Sequence, residues 1–95
     1  MQKNLLIMSE MPQYFINLAD KNFNTHKLWL QNDEDKFISE IQEKVDAIAV
    51  MGGYKITPEL MKSMTNLKII ACYGVGYDAI DIAYAKSLGI KVTNT

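Results

Sequence analysis

Arginine is missing from this chain of 95 residues: all ten basic side chains are lysines. Cysteine, histidine and tryptophan occur once each, and proline twice. Each shortage excludes something. Without a guanidinium there is no planar fork to grip a carboxylate or phosphate at two points, and lysine offers only a point charge in its place. A single cysteine, Cys72, rules out an internal disulfide framework and any cysteine-based zinc cluster. His26 has no cysteine or carboxylate cluster at ligand spacing, so it reads as a strand or surface histidine. Ten basic against eleven acidic residues leave a net charge of -1, so no basic footprint for nucleic acid exists. Neither a basic amphipathic run nor an apolar stretch long enough to span a bilayer occurs, so no membrane association is expected. The opening Met1–Met8 has too few apolar residues for a secretory leader, and the cytoplasm is the expected compartment.

What is present is a rhythm. Short apolar runs at Leu5–Met8, Ala47–Met51 and Leu67–Cys72, with weaker ones at Thr25–Leu30 and Ile90–Thr93, have the length and polar bounding of buried strands. Helical patterns separate them. Pro12 suits a first helical position, with Phe15, Leu18, Ala19 and Asn22 on one face. Asn32 is placed to cap a second helix, with Asp33, Glu34 and Asp35 at its start and Phe37, Ile38, Ile41 and Val45 as its stripe. Thr57-Pro58-Glu59 reads as cap, first position and acidic first turn of a third helix running to Met64. Asp81 opens a fourth, with Ala85 and Leu88 on one face and Gly89 as terminator.

Strictly alternating strands and helices imply right-handed crossovers and a parallel sheet. The fold class expected is α/β, a flavodoxin-like doubly wound sheet of about five strands in the order 2-1-3-4-5. Residues 1–95 make one domain at most. The chain ends at Thr95 directly after a strand, where such a fold would continue into a covering helix, so the ending reads as premature.

In an open parallel sheet, ligands bind outside the carboxyl ends of the strands. The loops there are Ser9-Glu10-Met11, Gly52-Gly53-Tyr54, Gly74-Val75-Gly76-Tyr77-Asp78 and Asn94-Thr95. Two are glycine-rich, which lets backbone amides approach a ligand closely, though glycine at strand ends is also ordinary turn chemistry. Gly74 to Ala79 formally matches the dinucleotide fingerprint G-x-G-x-x-G/A between a strand and a helix. The acid that would hold a ribose at the end of the next strand is absent from Ile90-Lys91-Val92-Thr93-Asn94, so the match reads as a decoy. Cys72, in an apolar strand, reads as a small core hydrophobe. Asp33 to Asp35 read as a helix start rather than a metal site, and the methionines and Trp29 as packing.

The stretch Leu67-Lys68-Ile69-Ile70-Ala71-Cys72-Tyr73-Gly74-Val75-Gly76-Tyr77-Asp78-Ala79-Ile80-Asp81, continued by Gly89-Ile90-Lys91-Val92-Thr93-Asn94-Thr95, resembles the D-isomer-specific 2-hydroxyacid dehydrogenases. It is similar in particular to their glyoxylate and hydroxypyruvate reductase branch. The likeness is strongest over the last half of the chain and rests on element order from Met1 to Lys44. It implies a parent enzyme with a flavodoxin-like substrate domain and an inserted nicotinamide-binding Rossmann domain. This chain would supply the amino-terminal part of the substrate domain and stop before the Rossmann domain. The implied substrate is a small 2-oxo acid, reduced to a D-2-hydroxy acid with NAD or NADP. The implied carboxylate cradle consists of the amides of Val75 and Gly76, with Gly74, and Gly52 and Gly53 facing the same substrate from the neighbouring strand. Paired amides at a strand-to-helix turn form an anion-binding concavity. A phosphoglycerate-type relative would carry an arginine near Met51, and its absence points away from a phosphorylated substrate. Tyr54 and Lys55 match no pattern. The family's catalytic arginine, glutamate and histidine match no residue here, so the chain alone is expected to be inactive and to bind no nicotinamide cofactor. A homo-oligomer is expected.

Two rivals with the same strand layout fail on their own chemistry. A signalling receiver needs an acidic pair after the first strand and an aspartate after the third, where this chain has Glu10 alone and Val50-Met51-Gly52. A flavin carrier needs a hydroxyl- and glycine-rich phosphate loop, which Ser9-Glu10-Met11-Pro12 is not. A stand-alone 2-oxo-acid-binding or interaction module without catalysis stays open.

Overall fold

Three apolar residues, Leu5 to Ile7, form most of β1 (Asn4–Ile7), and similar apolar runs produce β3 (Ala47–Met51) and β4 (Ile69–Tyr73). With the edge strands β2 (Asn24–Lys27) and β5 (Lys91–Asn94) they build one parallel sheet in the order β2-β1-β3-β4-β5. The flavodoxin-like expectation therefore holds, strand order included. The computed structural model describes residues 2–51, 56–73 and 81–94.

The helices are α1 (Gln13–Asn22), α2 (Glu34–Ile41), α3 (Pro58–Ser63) and α4 (Ile82–Ser87). Their starts follow from capping. The Thr57 hydroxyl accepts from the Leu60 amide at 3.2 Å, and the Asp81 carboxylate from the Tyr84 amide at 2.9 Å, as the sequence pattern leads one to expect. α2 departs by one residue: Asp33, not Asn32, caps it, accepting from the Lys36 amide at 3.1 Å. A carboxylate there also meets the positive end of the helix dipole, which an amide does not. Pro12 sits just outside α1 as its cap, with ψ of 144°, its carbonyl accepting from the amides of Phe15 and Ile16. α4 ends at Gly89 with φ of +78°, where the Gly89 amide reaches the Lys86 carbonyl and the Ile90 amide reaches Ala85 at 2.9 Å. That paired closure needs a left-handed residue, which glycine supplies.

The apolar run expected to be strand through Leu30 turns instead into a short 3-10 segment, Leu28–Leu30. The cause is pairing. β2 has β1 as its neighbour, the ladder ends at Ile7 with Lys27, and a strand without a partner has no reason to continue. Leu28 still folds into the core, while Leu30 is exposed. α1 is also rotated from the expected face: Ile16 and Ala19 are buried, Phe15 is half-buried, and Leu18 is 61% exposed.

Two apolar clusters sandwich the sheet. Leu6, Ile48, Val50, Ile70 and Cys72 face α2, α3 and α4, whereas Leu5, Ile7 and Ala49 face α1. Side chains alternate between faces along each strand, so a single strand feeds both clusters.

Candidate functional site

The strand order reverses between β1 and β3, and such a switch point is where open parallel sheets bind ligands, beyond the carboxyl ends of the strands. The described ends of β1, β3, β4 and β5 line up along that edge. The Met8 amide donates to the Ala49 carbonyl at 3.0 Å, holding the end of β1 against β3. Met51 at the end of β3 pairs with Tyr73 at the end of β4, and Cys72 pairs with Asn94 of β5.

Gly52, Gly53, Gly74, Val75 and Gly76 lie outside the described residues, as do Tyr54, Lys55 and the remainder of the formal dinucleotide fingerprint through Ala79. Their flanks are described. The segment holding Gly52 and Gly53 leaves from Met51 and rejoins at Ile56, which is 1% exposed. The segment holding Gly74 to Gly76 leaves from Tyr73 and rejoins at Asp81, the α4 cap. Both segments thus leave from paired residues.

Residues that the sequence pattern did not single out gather at the same edge. The hydroxyls of Tyr14, in the first turn of α1, and Tyr73 are hydrogen-bonded to each other. The next residue of α1, Phe15, tilts its ring against Tyr73 with centroids 6.2 Å apart. The bond raises the Tyr14 phenol above its ordinary value, because the hydrogen-bonded neutral form is favoured. Nothing in the spacing signals this pair, since 59 positions separate its members. The Ser9 hydroxyl, in the loop after β1, is buried without a hydrogen-bond partner and so keeps an unused donor and acceptor.

His26 lies elsewhere, on the edge strand β2. Its Nε2 is 3.1 Å from Asn4 Oδ1, and its ring leans on Phe37 of α2. Burial, and secondarily the Lys44 charge, holds its pKa below the ordinary imidazole value. Among the described residues no group of three or more His, Cys, Asp or Glu side chains is arranged to hold a metal ion. No described helix is long and apolar enough to cross a membrane. Dinucleotide binding of the usual kind also needs an acid at the end of the strand after the glycine turn, and β5, Lys91–Asn94, carries none. What the described edge offers is uncharged hydroxyls at Ser9, Tyr14 and Tyr73 and an exposed carboxylate at Glu10.

Residues 5–95 match the family model for the catalytic domain of the D-isomer specific 2-hydroxyacid dehydrogenases. A glyoxylate reductase of Pyrococcus furiosus is 33% identical over all of the chain and 29% of its own length. A hydroxypyruvate reductase of Thermotoga maritima is 42% identical over 70% of the chain and 21% of its own length. Among solved structures, a 2-hydroxyacid dehydrogenase from Ketogulonicigenium vulgare superposes with a TM-score of 0.93 at 33% identity, covering 100% of the chain and 30% of its own. An NADPH-dependent glyoxylate/hydroxypyruvate reductase from Sinorhizobium meliloti, solved with NADP and malonate, gives 0.82 at 29% identity, covering 100% of the chain and 28% of its own. The chain spans about three tenths of the length of most of these relatives.

Proposed function

We propose, from a chain that belongs to the D-isomer specific 2-hydroxyacid dehydrogenase family, that residues 1–95 are the amino-terminal part of the substrate domain of an NAD(P)H-dependent reductase. Its substrates are small 2-oxo acids such as glyoxylate and hydroxypyruvate, reduced to D-2-hydroxy acids in the cytoplasm. The relatives named glyoxylate reductase and hydroxypyruvate reductase support that substrate class. So does the malonate, a small carboxylate, bound by the Sinorhizobium meliloti enzyme.

Within this chain the role is to hold the substrate's carboxylate. The amides of Val75 and Gly76, with Gly74 and with help from Gly52 or Gly53, are the donors. The observation that carries this reading is the pairing of Met51 with Tyr73, the described residues that directly precede the two glycine segments in the sequence. Backbone donors suit a carboxylate because they are fixed in direction and lose little freedom when the anion arrives. Keto reduction further requires a cation to polarise the oxygen, an acid to protonate it and a hydride donor. Lysines alone, a histidine engaged with Asn4, and a β5 without an acid supply none of these in recognisable form. Residues 1–95 by themselves therefore bind the acid without reducing it, and the nicotinamide, NAD or NADP, belongs to the intact enzyme. A stand-alone 2-oxo-acid-binding module is the second reading, and it differs only in having no catalytic parent.

Titration of the 15N-labelled chain with glyoxylate tests the site. The amides of residues 52–53 and 75–76 should move while those of β2 do not. Val75→Pro deletes one donor outright and should weaken binding about tenfold or more. Amides that stay still at high glyoxylate sink the assignment. Mixing the chain with NADH or NADPH and glyoxylate should give no turnover, and saturable cofactor binding at about micromolar levels would contradict the division of labour. A homo-oligomer is part of the same proposal. An open groove of about 380 Å³ beside α1, lined by Leu5, Phe15, Leu18, Ala19, Asn22 and Phe23, supports it. Light scattering should find species larger than one chain.

A further inference from the structure

We propose that the amino-terminal edge of the sheet, opposite the candidate substrate site, is a docking surface for an acidic segment of a partner protein that also carries apolar side chains. This surface is separate from the carboxylate site, and its test is independent of that reading.

A net charge of -1 conceals a strong segregation. In a parallel sheet with crossover helices, strand starts and helix ends share one edge. Lys21, Lys62 and Lys86 lie in the last turns of α1, α3 and α4. Lys3 precedes β1, Lys44 lies between α2 and β3, Lys68 precedes β4, and Lys91 opens β5. Seven of the ten lysines are therefore at this edge, and all seven are exposed. The opposite edge carries Glu10, Asp33, Glu34, Asp35, Glu59 and Asp81, with Lys36 beside them. A lysine in a last turn complements the helix dipole, which accounts for three of the seven. The four beside strand starts belong to no helix. Nor are they neutralised: among the described residues Lys27 alone forms an ion pair, with Asp20 at 3.0 Å. Asp46, between Lys3 and Lys68 in the row of strand starts, already accepts from the Asn4 amide at 2.8 Å. Backbone bonds from Asp46 to Asn4, from Lys68 to Asp46 and from Lys91 to Lys68, each 2.9 Å, hold that row fixed.

Two apolar hollows open among these lysines. One, about 190 Å³, has Met61, Lys62, Leu67 and the 42% exposed Leu88 among its walls, on the three-helix face. The other, about 240 Å³, has Lys3, Phe23, Lys68 and Ile69 among its walls, on the α1 face. They lie on either side of the start of β4, so a segment crossing the edge there meets free ammonium groups and both hollows. A nucleic acid or a lipid headgroup layer would use the charge and leave the hollows empty. Arginine, the fork that grips phosphate, is absent, and the one tryptophan that could anchor in a bilayer interface, Trp29, lies past the far end of β2. A segment bearing both carboxylates and apolar side chains uses everything this edge presents.

The probe is a fluorescein-labelled peptide, Glu-Glu-Leu-Glu-Glu-Leu-Glu-Glu, titrated with the full chain and followed by fluorescence anisotropy. Binding should have a Kd on the order of 10–100 μM at low salt and loosen several-fold at about 0.3 M salt, where the charges are screened. Lys3→Glu and Lys68→Glu should each weaken it about threefold to tenfold, while Lys36→Glu, at the opposite edge, leaves it unchanged. Serine in place of both peptide leucines should weaken it about tenfold, because the hollows then stay empty. In the spectrum of the 15N-labelled chain, shifts should gather at Lys68, Leu88 and Lys91 and spare Ile7 and Met51. Both reversed lysines are exposed, and should one reversal unfold the chain, the other carries the test. No binding at low salt, insensitivity to the reversals, or equal affinity for the serine peptide overturns the docking surface. Tighter binding to vesicles of phosphatidylcholine with phosphatidylserine, or to duplex DNA, than to the peptide overturns the assignment to a protein partner.

Discussion

The two faces of the sheet are built to different standards. One is covered by α2, α3 and α4 and buries Leu6, Ile48, Val50 and Ile70 completely. The other has α1 alone, with alanines at positions 47, 49 and 71 and a half-buried Ile69. Crossover handedness produces the imbalance. The step from β1 to β2 runs one way across the sheet, and the steps from β2 to β3, β3 to β4 and β4 to β5 run the other way. Right-handed connections then place one helix on one side and three on the opposite side. The same topology puts the candidate site where the faces diverge, because α1 starts at the carboxyl edge and reaches over to the end of β4. The densely covered face holds most of the fully buried core, and the sparse face carries Phe15 and Tyr73 at the carboxyl edge.

Removing volume from the two faces should separate them most sharply. Ile48→Ala, at a fully buried position on the three-helix face, should cost about 2–5 kcal/mol. Leu18→Ala, on the groove beside α1, should change stability by no more than about 0.5 kcal/mol. Urea unfolding of both variants reads the difference, and equal losses would mean that the sparse side is as closely packed as the dense one.

Adding volume sharpens the same contrast with a smaller effect. Ala85→Val enlarges a residue with 0% exposure inside the three-helix cluster and should destabilise by about 1–3 kcal/mol. Ala71→Val points into the pit beside Tyr73, where two added carbons should stabilise by about 1 kcal/mol. Thermal melts of opposite sign are the expected outcome. A loss at both positions would show that the pit is closed by Phe15 and Tyr73 more tightly than its volume indicates.

Elements governed by local chemistry were legible in the sequence. Thr57-Pro58 and Asp81 announce their helices because a cap and its first turn are neighbours in the chain, and Gly89 announces its ending for the same reason. The strand order followed from alternation and handedness. The misreadings are places where distant neighbours decide. The run after Lys27 leaves the sheet because β1 stops at Ile7, and α1 turns Ile16 inward because the sheet beneath it presents Leu5 and Ile7. The glycine segments could be read as motifs, whereas Tyr14 and Tyr73 meet only through tertiary folding. Their pairing was beyond any local pattern, as was the unpartnered hydroxyl of Ser9.

The smallest effect concerns His26, on the open edge of the densely covered face, where Phe37 of α2 shields the ring. Burial first, and the Lys44 charge second, disfavour the imidazolium, so the folded pKa lies below the unfolded value of about 6.5. In the window between those two values the unfolded chain binds more protons than the folded one. Stability must therefore rise with pH across that window and level off above it. Stated from the other side, acidification below about pH 6.5 removes stability until the folded imidazole itself is protonated. The chain has one histidine, and no other side chain titrates near neutrality at its ordinary value, so the slope just below about pH 6.5 belongs to this residue. The effect is small, because the ring is only partly shielded from water. His26→Gln retains a hydrogen-bonding partner for Asn4 Oδ1 and should flatten the slope. Melting temperatures at several pH values across that range check it. A slope that survives the substitution would place its origin in the unfolded chain and leave the dense face without a pH-sensitive edge.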